Sequence, residues 1–156
     1  MVTTSQPEPS GAAHPGPGPG RPLAFVVDDD PSALELLRAV AQDAGWAVRG
    51  FTRLRDVQDA LRRQSPALIV LDDDLPDGRG GDLARELRRD ARLRGVPLLV
   101  CTGAHAMRRA EIGAWAPVVS KPFDIVEMER LLADAADAAD ARRHVGHAAT
   151  DIERAG

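Results

Sequence analysis

The sequence predicts an α/β fold: a doubly wound, five-stranded parallel sheet with helices on both faces. Two observations carry that prediction. From Leu23 onward, apolar runs rich in β-branched residues alternate five times with segments of helical periodicity. Such alternation implies right-handed crossovers and a covered parallel sheet. In addition, two aspartate triplets, Asp28, Asp29, Asp30 and Asp72, Asp73, Asp74, directly follow the apolar runs LAFVV and ALIVL. A short apolar run closed by turn-type residues reads as a buried parallel strand, and open α/β sheets place their ligands beyond the carboxyl ends of such strands.

The elements follow in order. The first strand spans about 23–28, and the first helix opens with Asp30 as N-cap and Pro31 at its first position, stopping at Gly45. Its apolar face is Leu37, Val40, Ala41 and Ala44. The second strand is 46–51, and the second helix, 52–64, rests on Leu54, Val57 and Leu61. The third strand is 67–72, and the loop LPDGRGG leads to a helix over 82–92. Asp77 and Gly78 in that loop read as turn chemistry. The fourth strand is 96–101 with a short helix over 105–112, and the fifth strand is 117–120. The last helix starts at Asp124, where Asp124 and Glu127 form a capping-box pattern, and runs toward Ala141.

Residues 1–22 carry six prolines and four glycines and read as a disordered tail; 23–141 form the folded domain; 142–156 read as a flexible C-terminal tail. The net charge of −4 gives no global pull toward nucleic acid or anionic membrane. No apolar stretch approaches the roughly 20 residues of a membrane span, and the single cysteine, Cys101, fits a reducing compartment. A cytoplasmic protein, monomeric or weakly dimeric, is expected. Of the 20 cationic residues only Lys121 is a lysine. Arg85, Arg88, Arg89 and Arg92 read as a solvated arginine face, and Cys101 as a small buried residue.

Four strand ends carry chemistry: the two triplets, Thr102-Gly103, and Ser120-Lys121. In one parallel sheet these ends share an edge. Clustered carboxylates repel unless a cation sits among them, and Mg²⁺ takes carboxylate, water and phosphate oxygens. A hydroxyl and an ammonium would meet the remaining phosphoryl oxygens. The set therefore suits an aspartyl phosphate with bound Mg²⁺.

VVDDDP, LDDDLPDG, LLVCTG and VVSKPF, in this order and spacing, resemble the receiver domain of two-component response regulators over about residues 23–140. The resemblance implies the flavodoxin-like strand order 2-1-3-4-5. It implies Asp72 as phosphoacceptor, Asp28 and Asp29 as the Mg²⁺-holding pair, and Asp74 as a metal ligand through its backbone carbonyl. It also implies Thr102 as the switching hydroxyl, and Lys121 as the phosphate-contacting cation before a cis proline bond at Pro122. Asp73 is left as a solvated turn residue.

The implied function is that of a stand-alone receiver. It would be phosphorylated by a histidine kinase or histidine phosphotransfer protein and act on an unnamed protein effector, without nucleic acid or membrane, its only reactions being its own phosphorylation and dephosphorylation. Two departures stand out: Val118 occupies a position usually aromatic in the family, and the fourth helix is about one turn short. Two alternatives share the residues. One is a phosphatase of the haloacid dehalogenase type, against which the acidic pair at Asp28 and Asp29 precedes the nucleophile. The other is a receiver acting as a phosphorylation-independent interaction module.

Overall fold

The computed structural model describes residues 20–154, with side chains through 146. Its core is a sheet of five parallel strands: β1 (Leu23–Val27), β2 (Ala47–Phe51), β3 (Leu68–Asp72), β4 (Leu98–Thr102) and β5 (Val118–Ser120). The strand order is β2-β1-β3-β4-β5, as expected. The helices are α1 (Pro31–Asp43), α2 (Leu54–Arg63), α3 (Gly80–Arg89), α4 (Ala106–Gly113) and α5 (Ile125–Arg154). A two-residue antiparallel ribbon pairs Asp74–Leu75 with Gly78–Arg79 in the loop after β3.

Side chains alternate across a strand, and this alternation divides the core in two. Phe25, Val27, Ile69, Leu71, Leu98 and Val100 pack beneath Leu54, Leu83, Leu87 and Ile112 of α2, α3 and α4. Ala24, Val26, Leu68, Val70, Leu99 and Cys101 face Leu37, Val40, Met128 and Leu132 of α1 and α5. The core is aliphatic, with few aromatics. Phe25 and Phe51 meet edge to face at 5.0 Å under the Arg49 guanidinium. Trp46 is fully buried and its indole N–H donates to the Leu132 carbonyl at 2.8 Å, tying the start of β2 to α5.

Asp30 caps α1 as expected, its Oδ1 accepting from the Ser32 amide at 2.9 Å ahead of Pro31. The α2 N-terminus has no cap of its own at Arg53; both carboxylate oxygens of Asp77 reach across to accept from the Leu54 and Arg55 amides at 2.9 and 3.0 Å. Asp77 is thus more than a turn residue. These two bonds hold its carboxyl below the ordinary range.

Two expectations need correction. Within the C-terminal tail expected over 142–156, residues 142–154 are helical: α5 continues past Ala141 to Arg154, and 155–156 lie outside the described residues. The stretch prolongs a helix already established in the alanine-rich 133–141, and Arg143 pairs with Asp140 one turn back. Of the expected N-terminal tail 1–22, residues 1–19 lie outside the described residues. The arginines after 85 are not one solvated face. Arg88 donates to the carbonyls of Trp115, Arg94 and Val96 at 2.9 Å each, while Arg92 lies beyond α3 and bonds the Leu61 carbonyl. Among the described residues no helix is long and apolar enough to cross a membrane.

Candidate functional site

The carboxyl edge of the sheet gathers the residues the sequence singled out. Asp28 follows β1, Asp72 ends β3, Thr102 ends β4 and Lys121 follows β5, with β1, β3, β4 and β5 adjacent in that order. Asp28, Asp72 and Thr102 are buried, whereas Asp29 is exposed. Carboxylate oxygens of Asp28, Asp29 and Asp72 lie within 4.8 Å of one another. Lys121 Nζ sits among them, donating to Asp28 Oδ2 at 3.0 Å and lying 3.3 Å from Asp72 Oδ1. The Lys121–Pro122 peptide bond is cis.

The electrostatics follow from burial and charge. Desolvation pushes the Asp72 carboxyl upward and the Asp28 charge adds to this. Lys121 and the Asp74 amide oppose them, and the carboxyl stays above its ordinary value. Burial works against the Lys121 ammonium, but its bonds to Asp28 and the Asp72 charge outweigh that and raise its pKa. The Asp28 Oδ1 accepts from the Asp30 amide at 3.0 Å, which orients that carboxylate. The Thr102 hydroxyl accepts from the Ala104 amide at 3.0 Å, leaving its own proton free to donate.

An oxygen-only donor set of three carboxylates, one of them exposed, fits a hard divalent cation such as Mg²⁺. The Asp74 side chain turns out of this cluster, pairing with Arg79 and remaining exposed. Its amide donates to Asp72 Oδ1 at 3.3 Å.

Asp73 overturns the sequence expectation of a solvated turn residue. It is fully buried, and Arg108 of α4 grips both its oxygens, at 2.9 and 3.1 Å. Asp73 Oδ1 also accepts from the Gly81 amide at 2.9 Å in the first turn of α3. Burial alone would raise its carboxyl, but Arg108, the Gly81 amide and Arg79 outweigh burial and hold it below the ordinary range. Strand parity was the available signal. Asp73 continues the side of Ile69 and Leu71, facing α3 and α4, while Asp72 continues the side of Leu68 and Val70.

The response regulator receiver domain family matches residues 24–133. The probable transcriptional regulatory protein TcrX of Mycobacterium tuberculosis is 34% identical over 113 residues, 70% of this chain and 47% of that protein. The transcriptional regulatory protein GltR of Pseudomonas aeruginosa is 35% identical over 108 residues, 67% of this chain and 44% of that protein. The chain thus spans a little under half the length of these two relatives. In three dimensions, a putative response regulator from Chloroflexus aurantiacus superposes with a TM-score of 0.69 at 21% identity, covering 75% of this chain and 98% of that one. The acidic pair that precedes β3, the sheet order and the family match agree, and set aside the haloacid dehalogenase alternative. The chain belongs to the response regulator receiver domain family, whose members are signalling phosphoacceptor domains of two-component systems.

Proposed function

We propose that Asp72 accepts a phosphoryl group from a phosphohistidine on a histidine kinase or histidine phosphotransfer protein, and that the modified domain signals to a protein effector through the α4–β5–α5 face. The observation that carries this reading is the meeting of buried Asp72 with the Lys121 ammonium, 3.3 Å away, and two further carboxylates at one sheet edge.

In the transfer, an Asp72 carboxylate oxygen attacks phosphorus in line. The P–O bond forms as the P–N bond breaks, and the imidazole nitrogen leaves with the bonding pair. Lys121 meets the negative charge on the phosphoryl oxygens, and the Thr102 hydroxyl turns its free proton toward one of them. Asp28, Asp29 and Asp72, with the Asp74 carbonyl, would hold Mg²⁺. Bound Mg²⁺ supplies charge neutralisation where anionic carboxylate and phosphate must approach. Hydrolysis of the same acyl phosphate returns the domain to its starting state.

The test is intact mass after incubation with Mg²⁺ and acetyl phosphate. The wild type gains one phosphoryl group, and Asp72→Ala gains none. An unmodified wild type that also gives no NMR response to Mg²⁺ and BeF₃⁻ overturns the proposal and leaves a phosphorylation-independent interaction module.

A further inference from the structure

Helix α4 follows β4, and two consecutive arginines fasten it to the strands on either side of β4. Arg108 reaches the residue after β3, gripping Asp73 at two points. Arg109 reaches the end of β5, donating to Ser120 Oγ at 2.8 Å. Between them, β4 ends at Thr102, three residues before His105, the N-cap of α4. The two anchors are unequal: Arg109–Ser120 is exposed, whereas Asp73 is fully buried and its partner is mostly covered.

Asp73 has no purely local reason to be charged. A buried carboxylate is costly to desolvate unless paired, and a neutral asparagine at this position would meet the Gly81 amide without that cost. What the pair adds is position. A two-point arginine grip fixes both distance and orientation, and here it links α4 to the residue bonded to Asp72. Glu111 braces the other side of the guanidinium at 3.1 Å.

We propose that Asp73 and Arg108 are a positioning pair that holds α4, and with it the connection 103–105, over Thr102, and so sets the α4 position that a phosphoryl group on Asp72 displaces. The displacement clause rests on the phosphoacceptor reading; the anchoring clause does not. A phosphoryl group draws the Thr102 hydroxyl toward Asp72 and away from the Ala104 amide, pulling the helix at its N-terminus. Arg108, inside the first turn, resists that pull. Removing the grip lets α4 populate its displaced position without phosphorylation, so less displacement remains for phosphorylation to produce.

The test uses the full chain, isotopically labelled. Asp73→Asn keeps the size of the side chain and the oxygen that accepts from the Gly81 amide, and removes the charge. Without any phosphodonor, amide exchange in α4 should quicken about tenfold or more while β1 and β3 amides keep their protection. With Mg²⁺ and BeF₃⁻, the α4 resonances of the variant should move less than about half as far as those of the wild type. Glu86→Gln, an equal loss of charge at an exposed position of α3, should leave both measurements unchanged. If Asp73→Asn fails to fold, Arg108→Lys, which keeps the charge but loses the two-point grip, should show the same changes in weaker form.

Exchange and displacement equal to wild type overturn the proposal, as does an acceleration shared equally by all elements. A wild type that ignores BeF₃⁻ refutes the phosphoacceptor reading instead. Exchange in α4 then decides the anchoring role on its own: selective acceleration supports it, and its absence overturns it.

Discussion

Behind β3, position 80 admits nothing larger than hydrogen. A Cβ there would lie 2.1 Å from the Asp72 carbonyl oxygen and 2.9 Å from Leu71 Cγ. Gly80→Ala should therefore cost about 1–3 kcal/mol, the range of an overpacked core, read as a lower denaturant midpoint, and should slow phosphoryl uptake by shifting the acceptor strand. Cys101, one residue before Thr102, is buried and desolvation pushes its thiol up to about 12. Alkylation by iodoacetamide at neutral pH should be undetectable by mass in the folded protein and complete in denaturant; reaction of the native form would show that β4 opens. Asp73 gives a pH dependence of definite sign. Its folded pKa is depressed, so its contribution to stability is full above the unfolded value of about 3.9 and is lost as pH falls through the lower folded value. Below about pH 4, the slope of stability against pH should be shallower for Asp73→Asn than for wild type. The residues that sequence located best, Asp28, Asp72, Thr102 and Lys121, are those at strand ends, where one period-two pattern sets the position of each. Asp73 was missed because its partner, Arg108, is 35 residues away on a helix whose placement the sequence does not display.

Among the elements, α2 shows how a helix start can depend on a distant loop. Its two leading amides are satisfied by Asp77, 23 and 22 residues away. Asp77→Ala should cost about 1 kcal/mol, as for loss of an N-cap, measured by urea unfolding with circular dichroism. Since the carboxyl reaches α2 from the loop between β3 and α3, the substitution should also loosen the ribbon at Asp74–Leu75. The central strands β1, β3 and β4 were legible because each is a mainly apolar run closed by turn-type or polar residues, and α1 because Asp30 and Pro31 mark its start. Helix α3 begins two residues before its expected start at 82. Two glycines there read as loop, yet the Gly81 amide is held by Asp73. Helix α5 outruns expectation because the polar stretch after Ala141 resembles a solvated tail in composition, yet it extends a helix already nucleated in the alanine-rich 133–141, and propagation is easier than nucleation.

For the molecule as a whole, the two-sided core and the one-sided site divide labour: both faces of the sheet are apolar, and the buried polar and charged side chains (Asp28, Asp72, Asp73, Thr102) lie at its carboxyl edge. A cation bound there only in the folded state should stabilise the entire domain. At 100 times its Kd, Mg²⁺ should add about 2.7 kcal/mol, seen as a higher Tm that EDTA reverses and that Asp29→Asn diminishes. An unchanged Tm in saturating Mg²⁺ would argue against the carboxylate cluster as a metal site. The buried Trp46 has an optical consequence. Its indole is shielded from water and bound to the Leu132 carbonyl of α5, while the second tryptophan, Trp115, is half-buried just beyond α4. Acrylamide should quench Trp115 and spare Trp46, so a red shift of the protected emission reports undocking of α5, and a change in the quenchable fraction reports events near the end of α4. The chain's two tryptophans thus report separately on the docking of α5 and on the end of α4.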